Sequence, residues 1–239
     1  NNSATLAQLV ADVFSANGIY VYFFDGLRPT PELSYAIREL DCKSGVMLTA
    51  SHNPKEYNGY KAYGHDGGQL TIPHDEMVMN EVRAVDGIGE VKFDGNPALI
   101  EKIGAEIDEK YLSIIEGESI SKEAIFRQED MKIVFSPIHG TGGVLVPPLL
   151  ERMGFKNVIL VEEQMVVDGD FPTVVYPNPE EAEALSMSIA KAKESGADLV
   201  MATDPDADRV GIAIRDDQGE LVLMNGNQTA VLLFGYMLN

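Results

Sequence analysis

Apolar residues recur at helical spacing over residues 3–17, and Gly18 ends the run. The solid apolar stretch Ile19-Tyr20-Val21-Tyr22-Phe23-Phe24 then predicts a buried strand. A loop holding Pro29 and Pro31 leads into a short helix over 32–40 and a second apolar strand over 45–49. A polar loop spans 50–58, followed by a short strand over 59–63, a turn at 66–69, and helices over 75–85 and 97–115. Alternation of this kind belongs to a layered sheet flanked by helices.

Residues 116–130 are polar and charged, and the pattern restarts after them. Strands are predicted over 132–135, 157–161, 198–202 and 210–214, with helices over 143–153 and 180–195 between them. Asp216-Asp217-Gln218-Gly219 reads as a hairpin turn, with a strand over 220–223 pairing back. The expected fold class is α/β: two consecutive three-layer α/β domains with mixed, mainly parallel sheets, and the first helix of a third. The expected domains are 1–125, 126–224 and 225–239. The helix over 228–238 is apolar with nothing after it to cover it, so the chain reads as an internal piece of a longer protein.

Composition narrows the classes. At 239 residues and 45% apolar content, both halves can build a core. A single cysteine, Cys42, excludes a disulfide framework and suits a reducing compartment. No signal peptide is visible and no apolar run approaches the roughly 20 residues that cross a bilayer, so a cytoplasmic location without a membrane partner is expected. The net charge of −20 argues against nucleic acid. A small anionic ligand would need local positive charge or a metal against this background. Nothing in the residues sets an oligomeric state.

Two loops carry the chemistry. Thr49-Ala50-Ser51-His52-Asn53-Pro54 sits where a buried strand ends, the usual place for ligand sites in α/β sheets. A serine nucleophile needs a group to hold charge and a group to move protons, and His52 and Lys61 are candidates for both. The bland alternative is a polar turn with a serine cap. The second loop, Thr203-Asp204-Pro205-Asp206-Ala207-Asp208-Arg209, alternates three carboxylates, which extended backbone would turn to one face. Oxygen-only ligands select a hard cation, and sharing them with phosphate favours Mg²⁺. An EF-hand is excluded, because Arg209 and Arg215 stand where that loop needs Gly and Glu. The competing reading is a solvated acidic turn. Arg209 could grip a phosphate through its fork of donors.

Other stretches read as structural. Ser136-Pro137-Ile138-His139-Gly140-Thr141-Gly142-Gly143 is a glycine-rich turn without the lysine of a P-loop, and Arg28 lies in a proline-restrained loop. His65, His74, Asp168 and Asp170 read as surface residues, and Met77 and Met79 as part of an ordinary helix face.

Together the Ser51 and Asp204 loops resemble the alpha-D-phosphohexomutase superfamily, the phosphoglucomutases and phosphomannomutases. The resemblance covers nearly the whole chain. It implies that Ser51 carries a phosphate, that this phosphoserine with Asp204, Asp206 and Asp208 binds Mg²⁺, and that Ser51, His52 and Lys61 are catalytic. Ser51, His52, Lys61, Asp208 and Arg209 would bind substrate or phosphate. It further implies a small sugar phosphate as substrate and glucose 1,6-bisphosphate as intermediate. The loops are expected to face one another across the domain junction, each lacking half of a metal site. Asp-Pro-Asp-Ala-Asp, where many relatives place glycines between the aspartates, together with Asn58-Gly59-Tyr60-Lys61, resembles the phosphoglucomutase and phosphopentomutase branch. The expectation is therefore interconversion of glucose 1-phosphate and glucose 6-phosphate. The alternatives are phosphomannomutase or phosphopentomutase activity, a simple phosphatase, or a non-catalytic fragment that binds Mg²⁺ and phosphate. The family has four domains around a cleft, so this piece alone is expected to be inactive.

Overall fold

The computed structural model describes residues 2–238. The chain divides into two compact units. One comprises Asn2–Ala50 and Asn58–Glu109; the other comprises Ser51–Tyr57 with the described residues from Lys110 onward.

In the first of these, α1 (Ser3–Ala16) precedes β1 (Val21–Phe24), and α2 (Thr30–Glu39) precedes β2 (Ser44–Leu48). The antiparallel partner of β2 is β3 (Tyr60–Gly64), with Met47 opposite Lys61. Helix α2 lies on β2 so closely that a Cβ on Gly45 would fall 2.3 Å from Ile37 Cδ1. Helix α3 (His74–Ala84) is amphipathic in sequence yet buries none of its residues.

The helix expected over 97–115 is corrected. Pro97–Leu99 form a 3-10 turn, and β4 (Ile100–Ile103) pairs in parallel with β1, Val21 opposite Ile100. Only after Gly104 does α4 (Ala105–Gly117) begin. The isoleucines at both ends of β4, three apart, fit a helical stripe, whereas in the strand they face opposite sides; pairing with β1 decides for the strand. Gly104 packs against Asp25, where an added Cβ would lie 2.5 Å from the carboxylate.

After α5 (Lys122–Arg127), the other unit is built on a five-stranded sheet. Its strands are β5 (Lys132–Ser136), β6 (Asn157–Leu160), β7 (Leu199–Thr203), β8 (Val210–Arg215) and β9 (Leu221–Met224). The order is β6-β5-β7-β8-β9, with β6, β5 and β7 parallel, β8 antiparallel to β7, and β9 antiparallel to β8. Strand β5, between β6 and β7, is covered on both faces, and Ile133, Val134 and Phe135 are at most 1% exposed, which explains its unbroken apolar run. Helix α6 (Val146–Arg152) follows a 3-10 turn, α7 (Glu162–Met165) is a single turn, and α8 (Ser186–Ser195) packs on β5 and β7. Ala184, Ala192, Ala197, Ala202 and Ala213 in the core let helix and sheet approach closely. Helix α8 starts six residues later than the charge pattern of 180–195 predicts and ends at Gly196, whose φ of 66° is the left-handed cap glycine favours. Helix α9 (Gly226–Leu238) closes the described chain.

Candidate functional site

The serine loop springs from one point. Thr49, just past β2, donates its N–H to the Gly59 carbonyl at 3.1 Å. A Cβ on Gly59 would lie 2.6 Å from Thr49 O, so only glycine closes the neck. Within the loop Ser51 has φ of 53°, a left-handed conformation that non-glycine residues keep only when their surroundings impose it. The Ser51 hydroxyl donates to Asp204 Oδ2 at 2.8 Å and lies 3.2 Å from His52 Nδ1. Ser51 has one proton to give and gives it to Asp204, so His52 Nδ1 is the donor in the second contact.

The aspartate loop begins as β7 ends at Thr203. Asp204 is fully buried, Asp206 is 3% exposed, and Asp208 is exposed. Asp204 Oδ1 accepts the Arg209 N–H at 2.9 Å, and its carbonyl accepts from Ala207 N at 3.0 Å, folding the loop over. Each aspartate offers one oxygen to a cluster whose atoms all lie within 4.8 Å of one another. Burial, then the neighbouring Asp206 carboxyl, pushes the Asp204 carboxyl up to about 7. This electrostatic strain fits a cation: three oxygens converge, all hard donors, and added positive charge would relieve the repulsion. His52 is shifted the other way. Burial and the Arg209 guanidinium lower its pKa, against the opposing pull of Asp206, Asp208 and Glu180.

Ser51, His52, Asp204, Asp206, Asp208 and Arg209 thus fall together within one compact unit. Lys61 lies in the other unit, half-buried on β3.

Sequence reasoning missed the supports. Lys55 Nζ of the serine loop lies 3.5 Å from Asp170 Oδ1, an exposed pair that ties this loop to the segment 166–173. That segment is itself held by a buried polar chain. Ser136 Oγ donates to Gln164 Oε1 (2.6 Å), Gln164 Nε2 donates to Thr173 Oγ1 (2.9 Å), and Thr173 Oγ1 meets His139 Nε2 (2.9 Å). His139 Nδ1 reaches the Val166 carbonyl at 2.9 Å, so that nitrogen carries the proton and Nε2 accepts from Thr173. The only sequence signal for this network was a histidine inside a glycine-rich turn.

Residues 1–89 match the family model described as phosphoglucomutase/phosphomannomutase, alpha/beta/alpha domain I, and residues 109–219 match that of domain II. The phosphoglucomutase of Staphylococcus haemolyticus (strain JCSC1435) is 39% identical over 236 residues, covering 99% of this chain and 43% of the relative. That of Staphylococcus aureus (strain USA300) is 38% identical over 237 residues, covering 98% and 42%. The chain therefore spans less than half the length of these curated relatives. Among solved structures, a candidate phosphomannomutase from Thermus thermophilus shares the fold with a TM-score of 0.77 at 24% identity, covering 99% of this chain and 51% of that one. A phosphoglucomutase/phosphomannomutase family protein from Burkholderia thailandensis gives 0.65 at 26% identity, covering 89% and 43%. With two successive domains of one family in order, and relatives aligned along nearly its whole length, this chain belongs to the alpha-D-phosphohexomutase superfamily of phosphoglucomutases and phosphomannomutases.

Proposed function

We propose that the protein containing this chain is a phosphoglucomutase-type phosphotransferase that interconverts glucose 1-phosphate and glucose 6-phosphate. The observation that carries the reading is the 2.8 Å hydrogen bond from Ser51 to Asp204, which sets a serine hydroxyl against the three-aspartate cluster. The names of the curated relatives support glucose phosphate over mannose phosphate as substrate. Asp-Pro-Asp-Ala-Asp in the metal loop supports the same phosphoglucomutase and phosphopentomutase branch. We further propose three domains, 1–125 bearing the serine, 126–224 bearing the aspartates, and 225–239 opening a sugar-binding domain. The single cysteine supports a cytoplasmic setting, and among the described residues no helix is long and apolar enough to cross a membrane.

Ser51 is the phosphoryl carrier. The bond between its oxygen and phosphorus breaks as a sugar hydroxyl forms a new one, giving the sugar bisphosphate; the other phosphoryl group then returns to Ser51. Asp204, Asp206 and Asp208 would hold Mg²⁺, which when bound supplies positive charge against the phosphoserine oxygens. Arg209 grips the same phosphate. His52 donates from Nδ1 toward the serine oxygen. Lys61 handles the proton or the developing charge at the sugar hydroxyl. Exclusion of water, which would hydrolyse the phosphoserine, requires the remaining domains of the family's cleft.

The test compares glucose 1-phosphate, mannose 1-phosphate and ribose 1-phosphate side by side with the full-length protein. Faster isomerisation of glucose 1-phosphate supports the reading. Preference for either other sugar moves the protein to the corresponding mutase, and release of free phosphate alone makes it a phosphatase.

A further inference from the structure

The glycine-rich turn after β5 lies directly beneath the aspartate loop. Thr141 donates twice to one acceptor, the Pro205 carbonyl: its N–H at 2.8 Å and its hydroxyl at 3.1 Å. On one side of Thr141, a Cβ on Gly140 would lie 2.3 Å from Pro205 Cα. On the other, a Cβ on Gly142 would lie 2.3 Å from Thr203 Oγ1 and 3.4 Å from Ala207 Cβ. Residues 203, 205 and 207 therefore rest on the shelf Gly140-Thr141-Gly142, while the carboxylates of Asp204, Asp206 and Asp208 converge on one another. Thr141 itself is buried, at 9% exposure, and the shelf touches the peptide that joins the two buried aspartates.

We propose that Thr141 is a positioning residue for the cation: by fixing the Pro205 peptide plane through two hydrogen bonds, it sets the spacing of the Asp204 and Asp206 oxygens. The inference rests on reading those aspartates as cation ligands. A carboxylate set gains affinity when its backbone is already held in the ligating arrangement, and loses it when the loop must be ordered by the ion. The Pro205 carbonyl belongs to the peptide that leads into Asp206, so holding it fixes the backbone from which that carboxylate projects. The two flanking glycines allow the approach; neither contributes a donor side chain.

The test is Mn²⁺ binding to the purified protein, followed by electron paramagnetic resonance, beside thermal melts of the same variants. Thr141→Val keeps the shape and removes the hydroxyl, and should weaken Mn²⁺ binding by about tenfold, the lower range for partners of metal ligands. Thr141→Ser keeps the hydroxyl and should restore binding. Thr141→Val with a lowered melting temperature but unchanged Mn²⁺ affinity would show a structural role only and overturn the proposal. Should Thr141→Val fail to fold, Gly140→Ala carries the same expectation, since its methyl must displace Pro205 while the hydroxyl stays; unchanged affinity there would overturn it equally. No Mn²⁺ binding by the unaltered protein would overturn the cation reading and this inference together, whereas binding equal in all variants would overturn the inference alone.

Discussion

The Ser51 hydroxyl and the Asp204 carboxylate, 153 positions apart in sequence, meet at 2.8 Å. A fully buried carboxylate with a raised pKa is a poor partner for a second anion unless positive charge accompanies it. The contact orders the serine hydroxyl beside the aspartate cluster, and on the proposed function it is there that a phosphorylated serine would share a cation with the aspartates.

Ser51→Ala in the full-length enzyme should lower turnover by on the order of 10⁴-fold or more, since it removes the hydroxyl proposed to carry the phosphoryl. Mass spectrometry of the isolated protein should find the phosphoryl group on Ser51 and on no neighbouring residue. A variant that retains wild-type turnover would remove Ser51 from the mechanism.

A pH dependence of stability should arise away from the site, in the unit containing Asn2–Ala50. Glu32 is fully buried on α2, and burial first, then the Asp108 carboxyl, pushes its pKa up to about 8. Arg28 sits beside the pair but commits its guanidinium to Asp108, with Nε and Nη2 at 2.8 and 2.9 Å. Because the folded-state value is raised, the stability Glu32 contributes is fully present below its unfolded pKa near 4.5 and is lost as pH rises through about 8. The loss within that window runs on the order of 1.4 kcal/mol per pH unit. Glu32→Gln should flatten the melting-temperature profile between roughly pH 5 and 9, with its largest gain at the alkaline end. Parallel profiles for the two proteins would disprove this.

Both chemical loops were legible because each breaks a local rule. A serine-histidine pair directly after a half-buried strand, and three alternating carboxylates after a buried one, have few structural uses at such positions. The shelf under the aspartates reads as a structural turn in preference to an anion site, since Gly140 and Gly142 reveal their purpose only when Pro205 and Thr203 lie against them. Strand β4 escapes the pattern because isoleucines three apart fit the helical period, whereas a strand turns them to opposite faces, and only pairing with β1 decides for the strand. The early start expected for α8 has a similar origin: Glu180 to Glu183 are good helix formers, but hydrogen-bonded turns from Asn178 to Ser186 hold them outside the helix.

Ala207 holds φ of 54° between two of the aspartates, where its Cβ is disfavoured. Ala207→Gly should therefore raise stability by about 1 kcal/mol, or roughly 2–4 °C in melting temperature for a chain of this size. The gain should appear in thermal melts without Mg²⁺. A lower melting temperature would mean that the Ala207 methyl, packed toward Gly142, contributes more than its backbone strain removes.

The last prediction separates metal binding from proton handling in the full-length enzyme. Asp206→Asn should leave the fold intact, because amide and carboxylate have the same shape, and should weaken Mg²⁺ binding, because an amide oxygen carries no full negative charge. Turnover should fall at low Mg²⁺ and recover in part as Mg²⁺ is raised. Lys61→Ala should fall at every Mg²⁺ concentration alike, by about 10²-fold or more, since a group acting on the sugar hydroxyl is not replaced by filling the cation site. The contrast is sharpened by where the two residues lie: Asp206 stands within the aspartate cluster, and Lys61 on β3 of the other compact unit. Initial rates across a magnesium titration read both variants in one experiment. Recovery of Lys61→Ala to the same degree as Asp206→Asn would put Lys61 in the cation's service and overturn the division of roles.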